Sequence, residues 1–303
     1  MTAPAALSTD RKDFLTGLAI AIIGAILFST KAIVAKLIYR YPVDAVTLIA
    51  FRMLFSLPFF AAIALWQARV SEPLTRSERF RIVILGLIGY YLSSFLDFVG
   101  LQTISAGLER LILFLTPSFV LLISILFLKK KISRLEWAAL AISYSGTVLV
   151  FLHDASRGGS QVQLGALFVL GSAITYALYL LFSGEMVRRV GAIRLVAYAM
   201  CVSSVACIGQ FFLLRPAGML VQPNAVYGLS LINAIFCTVM PVFLTMVAVA
   251  RIGAGTTSQA GMIGPVSTLL LGAVILDEPI TGIQLSGTVL VLIGIYLLSK
   301  KKA

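Results

Sequence analysis

Five charged side chains sit where charge is expensive. Lys31, Arg52, Asp97, Glu109 and Arg110 all fall inside stretches that otherwise read as continuous hydrocarbon. Each costs about 2.5–3.5 kcal/mol to place at membrane depth, so such groups pair with one another or line a wet cavity. Both readings stay open: Arg52 with Asp97, or Lys31 with Glu109, could be ion pairs holding helices together, or the same groups could contact a solute. Arg110, a few residues from a helix end, leans towards a structural role. No nucleophile, metal cluster or carboxylate constellation at an interface accompanies them, so catalysis is not expected. Cys201, Cys207 and Cys237 lie in apolar runs without the paired spacing of metal ligands and read as packing residues; neither a metal nor a cofactor is expected. His153, the single histidine, is of a residue type suited to proton shuttling, but beside Asp154 at a helix end it reads as a surface residue.

The elements that must position these charges are membrane spans. With 60% hydrophobic residues, 12% charged and a mean hydropathy of +1.02, the chain is far from a soluble domain, which carries about 25% charged residues. Runs near the roughly 20 apolar residues that cross a bilayer occur ten times: Phe14–Ile38, Val43–Trp66, Ile82–Val99, Ser105–Leu128, Leu135–Leu152, Leu164–Phe182, Leu195–Leu214, Ala225–Met246, Ala254–Leu276 and Ile283–Leu298. The basic residues sort by loop. Arg76, Arg79, Arg81, Lys129, Lys130, Lys131, Arg188 and Arg189 fall on the side of the termini, against Arg40, Arg157 and Arg215 on the other. This distribution places both termini in the cytoplasm and accounts for the +12 net charge without nucleic acid. Arg11 and Lys12 before the first run resemble a secretion signal, but that run is long and no small-residue cleavage site follows, so it reads as a retained helix. At 1.5 Å per residue, Lys31 lies about 10 Å below the end of its run and Arg52 about 13 Å deep in the second. Helix 1 also carries Gly17, Ala21 and Ala25, a spacing that admits a close neighbour.

The chain is two copies of one plan. Pro117 and Pro265 stand 148 residues apart, and the same offset carries Gly17 onto Gly165, Phe28 onto Tyr176, Leu121 onto Leu269, Ser133 onto Thr281 and Gly146 onto Gly294. The intramembrane charges do not repeat: Lys31 becomes Tyr179, Arg52 Met200, Asp97 Thr245, Glu109 Thr257 and Arg110 Ser258. Five spans per copy invert the second relative to the first, and Lys129–Lys131 against Asp277–Pro279 reverses charge as a change of side requires. The repeats are 1–152 and 164–303, joined by an external, GGS-containing linker, 153–163. Pro117 bends the fourth run, because it leaves the carbonyl of Leu113 without its donor. The polar Thr256 to Gln259, followed by Gly261, Gly264 and Pro265, makes the ninth a hinge candidate, and Asn233 and Pro241 interrupt the eighth.

A proline in mid-helix, an apolar run, a short charged turn and a glycine-containing last helix, found at Ser105–Phe151 and again at Gly253–Leu298, resemble the two EamA-type units of the drug/metabolite transporter superfamily. The resemblance implies an all-α membrane protein of ten helices in two inverted five-helix repeats. It also implies a central cavity lined by helices 1–4 and 6–9, with helices 5 and 10 peripheral. Within that superfamily the chain is most similar to bacterial exporters of amino acids, aromatic ones included, in the inner membrane. Related four-helix multidrug exporters use a glutamate in their first helix to exchange protons for cations; lysines stand here, which disfavours that mechanism. The expected function is secondary export of small amphiphilic metabolites by alternating access. The candidate cavity residues are Phe28, Lys31, Arg52, Tyr90, Asp97, Glu109, Tyr176, Tyr179 and Gln259, and the candidate hinges are Pro117, Gly261, Gly264 and Pro265. Phe28 and Tyr176, as matching aromatics, suit an apolar or aromatic solute. The expected partners are a small-molecule solute and the lipid bilayer, with protons as one candidate coupling ion. Export of drugs or nucleotide precursors on the same fold, and a channel, remain alternatives. The sequence specifies no oligomer.

Overall fold

The computed structural model describes the backbone of residues 5–128 and 133–300, with side chains from residue 13 onward except at 128, 157, 254, 255, 258 and 298–300. Lys129, Lys130 and Lys131, whose charges mark the inversion, lie outside the described residues, as do Lys301 and Lys302. All ten apolar runs are helical: α1 (Asp13–Ile38), α2 (Ala45–Val70), α3 (Arg76–Leu101), α4 (Ala106–Phe127), α5 (Arg134–Ser156), α6 (Gly158–Val190), α7 (Ala192–Leu214) and α8 (Asn224–Gly253) are each long and apolar enough to span. The ninth crossing, α9, joins a short piece, 254–260, to Ile263–Leu276; α10 is Gly282–Leu297. Ten crossings return the chain to its starting side, so both ends share one face, termed terminal, opposite the distal face.

Charged flanks lengthen several helices beyond their apolar runs. α3 starts at Arg76 rather than Ile82, because Thr75 and Glu78 form a capping box that satisfies the first free N–H groups. The segment 153–163 is not a loop. Helix continues through it with a single break at Gly159, whose φ of 61° and ψ of −146° suit glycine alone.

Local devices recur at the 148-residue spacing. Ser133 and Glu136 cap α5 as Thr281 and Gln284 cap α10, each pair bonding reciprocally. α3 winds into a π-helix at Leu87–Leu92 and α8 does so at Ile235–Val239, an irregularity that often marks functional sites. α4 breaks after Leu113 and α9 after Ala260. The break thus precedes Pro117 and Pro265, which sit in the first turn of the following helix, where a missing N–H costs nothing. The carbonyl of Leu113 is not left bare either: Thr116 Oγ1 donates to it at 2.6 Å.

In lipid, close backbone approach replaces hydrophobic driving force. α5 and α10 pack on each other through Gly146, Gly287 and Gly294. Gly17 and Gly24, with Ala21 between them, set α1 against α8. At the distal face, Arg215 donates from Nε to Asp44 Oδ2 at 2.6 Å, tying the end of α7 to the start of α2. Burial pushes the Asp44 carboxyl up, but bonds from Thr47 and the Arg215 charge outweigh it and hold the group below its ordinary range. Asp277, in the left-handed conformation with φ 59°, ends α9. Glu278 Oε1 then accepts the Ala106 N–H at 3.1 Å, closing α9 over the N-terminus of α4. Glu278→Ala removes a helix cap and should lower stability by about 1 kcal/mol, read as a lower melting temperature in detergent; an unchanged melting temperature would remove Glu278 from the distal closure.

Candidate functional site

The five intramembrane charges converge; of the two pairs the spacing suggested, Lys31 with Glu109 forms and Arg52 with Asp97 does not. Lys31 Nζ pairs with Asp97 Oδ2 and lies 3.3 Å from Glu109 Oε1. All three are buried, Glu109 completely. Among the described residues Arg52 therefore has no carboxylate partner. Its Nε donates to Thr238 Oγ1 at 2.9 Å, its guanidinium lies 5.1 Å from the Phe98 ring centre, and Nη1 has no partner. Lys31 Nζ stands 5.5 Å from that same ring, so both cations border Phe98. Pairing Lys31 with Asp97 rather than Arg52 follows from the chain path: Arg52 faces the π segment of α8, which carries Thr238. Asp97 Oδ1, Glu109 Oε2 and Asn233 Oδ1 are further buried polar atoms without a hydrogen-bond partner.

Arg110 is positioned by packing. Its Nη2 donates to Ser29 Oγ at 3.2 Å, and its guanidinium lies 5.1 Å from the ring of Phe28 and 5.2 Å from that of Phe114. It fills the space where a side chain at position 264 would begin, so any larger residue there would displace the guanidinium. Gly264 and Pro265 are buried, Gly261 is half-buried at the break, and Pro117 is exposed. Ser29 also reaches the Gly264 carbonyl at 3.2 Å. These contacts tie α1, α4 and α9 together beside the charged cluster. Phe28, 39% exposed, is its open edge.

The second repeat supplies aromatics at two of the matching positions, Tyr176 for Phe28 and Tyr179 for Lys31, and Tyr90 of the first repeat joins them. Tyr90, Tyr176 and Tyr179 form a compact trio with ring centres 4.9, 5.7 and 6.3 Å apart, and Tyr90 Oη donates to Tyr179 Oη at 3.3 Å. Gly89 lets α3 lie directly against the Tyr179 ring. Because the repeats are inverted, positions 31 and 179 lie at mirrored depths: the charged cluster in the distal half, the tyrosines in the terminal half. Tyr179 borders a groove of about 610 Å³ between the terminal ends of α3 and α6, lined also by Phe80, Arg81, Phe182 and Glu185. Gln259 is exposed in the short piece of α9. α1 packs on the distal part of α4 but scarcely on its terminal part, which lies against α5 and α6, with Phe119 on Tyr144 and Phe127 on Phe182.

Sequence reasoning missed Ser29, Phe98, Phe114 and Thr238. Only Thr238 had a signal, since the repeat offset maps it onto Tyr90, inside the other π segment. His153 bonds Asp154 at 3.1 Å at the distal face, remote in sequence and depth from the cluster. Cys207 and Cys237 are buried and Cys201 half-buried; none is in a disulfide, and among the described residues no group of three or more His, Cys, Asp or Glu could hold a metal.

Two inverted five-helix halves around buried charges and aromatics at mirrored depths define an integral membrane protein of transporter architecture. The chain belongs to the EamA-like transporter family, whose model matches residues 15–152 and again 163–300. It is 30% identical to the uncharacterized transporter YcbK of Bacillus subtilis (strain 168), over 91% of this chain and 90% of that one. It is 25% identical to a probable amino-acid metabolite efflux pump of Escherichia coli (strain K12), over 70% and 75%. A solved crystal structure at 18% identity superposes with a TM-score of 0.65, covering 95% of this chain and 98% of the other; it speaks for the fold alone.

Proposed function

We propose that this transporter exports small amphiphilic metabolites, amino acids including aromatic ones above all, by alternating access across the bacterial inner membrane with its terminal face in the cytoplasm. The observation that carries this reading is the buried cluster of both charge signs with unfilled hydrogen-bonding capacity, set at mirrored depth against three tyrosines. Charged groups of both signs match the head of an amino acid, and aromatic rings match its side chain. Arg69, Arg79, Arg188 and Arg189 near the terminal face favour its cytoplasmic placement. With that orientation, the closure of α9 over α4 at Glu278 lies on the external side, which favours a state facing inward. The breaks in α4 and α9 supply the places where the halves can move. The name of the Escherichia coli relative supports the solute class.

Proteoliposomes containing the purified protein should equilibrate radiolabelled phenylalanine faster than empty vesicles. Flux equal to empty vesicles across a panel of amino acids, drugs and nucleosides would remove the transport reading; flux restricted to drugs or nucleosides would replace the solute class.

A further inference from the structure

We propose that Arg52 is the anchor for a carboxylate on the transported solute. This rests on the transport reading for how the solute arrives, but not for whether it binds. Three cations, Lys31, Arg52 and Arg110, face two carboxylates, Asp97 and Glu109, so the cluster carries one positive charge in surplus. Both carboxylates are taken up around Lys31 and beside Arg110, while Arg52 makes no ion pair among the described residues. An arginine at 6% exposure whose guanidinium, among the described residues, bonds only a neutral hydroxyl is an unfinished site. A buried charge left unpaired is costly, and the guanidinium fork matches a planar carboxylate bidentately. A single carboxylate balances the Arg52 charge, whereas a doubly charged phosphate monoester would exceed it.

The setting gives Arg52 a route to a solute. Its partner Thr238 belongs to the second repeat and Arg52 to the first, so their contact crosses the boundary that alternating access must open. Thr238 lies in the π segment of α8, where an i→i−5 bond from Thr238 Oγ1 to the Asn233 carbonyl at 2.9 Å fixes the hydroxyl that faces Arg52. Phe98 backs the guanidinium, which restrains its plane.

The test is binding to purified, full-length protein in detergent, by calorimetry, with phenylalanine, phenylpyruvate, phenethylamine and phenyl phosphate as probes sharing one ring. Phenylalanine and phenylpyruvate should bind and phenethylamine should not. Arg52→Met copies the residue at the matching buried place, Met200, and should weaken both carboxylates by at least about tenfold, the worth of one charge-assisted hydrogen bond; Arg52→Lys, keeping charge but losing the fork, should fall between. Phenethylamine binding as tightly as phenylalanine, phenyl phosphate alone binding, no probe binding, or Arg52→Met binding like wild type would each overturn the anchor. The wild-type series decides even if Arg52→Met fails to fold. Carboxylate binding without flux leaves the anchor standing and removes transport; flux without carboxylate preference does the reverse.

Discussion

Lys31→Ala should lower the stability of the folded protein by about 3–5 kcal/mol, the cost of breaking a buried ion pair and leaving its partner charged and dry. The effect is large because one ammonium serves two carboxylates, Asp97 and Glu109, both almost wholly inaccessible. Removing the pair together tests the cause. Lys31→Met with Asp97→Asn takes away one charge of each sign and leaves Glu109 beside Arg110, so the net charge of the cluster is unchanged and the melting temperature should lie well above that of Lys31→Ala. If the cluster also contacts solute, this double variant folds and does not transport. A Lys31→Ala protein that melts like wild type would mean the charges neither hold helices 1, 3 and 4 together nor depend on one another.

Gly146→Leu should be the most damaging change outside the cluster. A Cβ at Gly146 would stand 2.6 Å from the Gly287 carbonyl oxygen and 2.8 Å from Leu290 Cβ, and the obstruction is backbone, which cannot swing aside. The contact is reciprocal, since a Cβ at Gly287 would meet the Gly146 carbonyl oxygen at 2.7 Å. α5 and α10 would be forced apart along a seam of close backbone contact. Overpacking of this kind costs roughly 1–3 kcal/mol. Thermal unfolding in detergent measures it, with Gly184→Leu as the control, because nothing lies within 4 Å of a side chain there. Equal melting of the two variants would deny the α5–α10 seam its role. Because that seam lies away from the charged cluster, folded Gly146→Leu protein should bind solute as wild type does.

Most of the fold is readable in the sequence because the bilayer leaves few choices: backbone groups must be satisfied within helices, so apolar length dictates crossings. The 148-residue repeat extends this to details such as the paired capping boxes at Ser133 and Thr281. The places where reading failed are those where tertiary context acts. A GGS sequence reads as a loop, yet only Gly159 leaves the helix, because the flanking residues lose nothing by remaining helical. The π segments leave no mark in α3, which has no proline there, and in α8 only Pro241 hints at one. Convergence of the five charges was legible because charge in hydrocarbon must be compensated. Their partners were legible only in part, because pairing depends on helix rotation: Lys31 meets Glu109 as the spacing suggested, but it also takes Asp97 once α1 and α3 are docked, and that docking leaves Arg52 to Thr238. Gly264 illustrates a mixed case. Its sequence context suggests a hinge, and its structure adds a second reason for glycine, the guanidinium of Arg110 lying where a side chain would begin.

The central claim is that a cavity between inverted halves is exposed to one side at a time, and counterflow tests it most directly. Proteoliposomes preloaded with unlabelled phenylalanine should take up labelled phenylalanine faster than empty-loaded ones and transiently above the external concentration, since a carrier returns more readily with its site occupied. Uptake that is indifferent to the internal solute, as through a channel, would contradict alternating access.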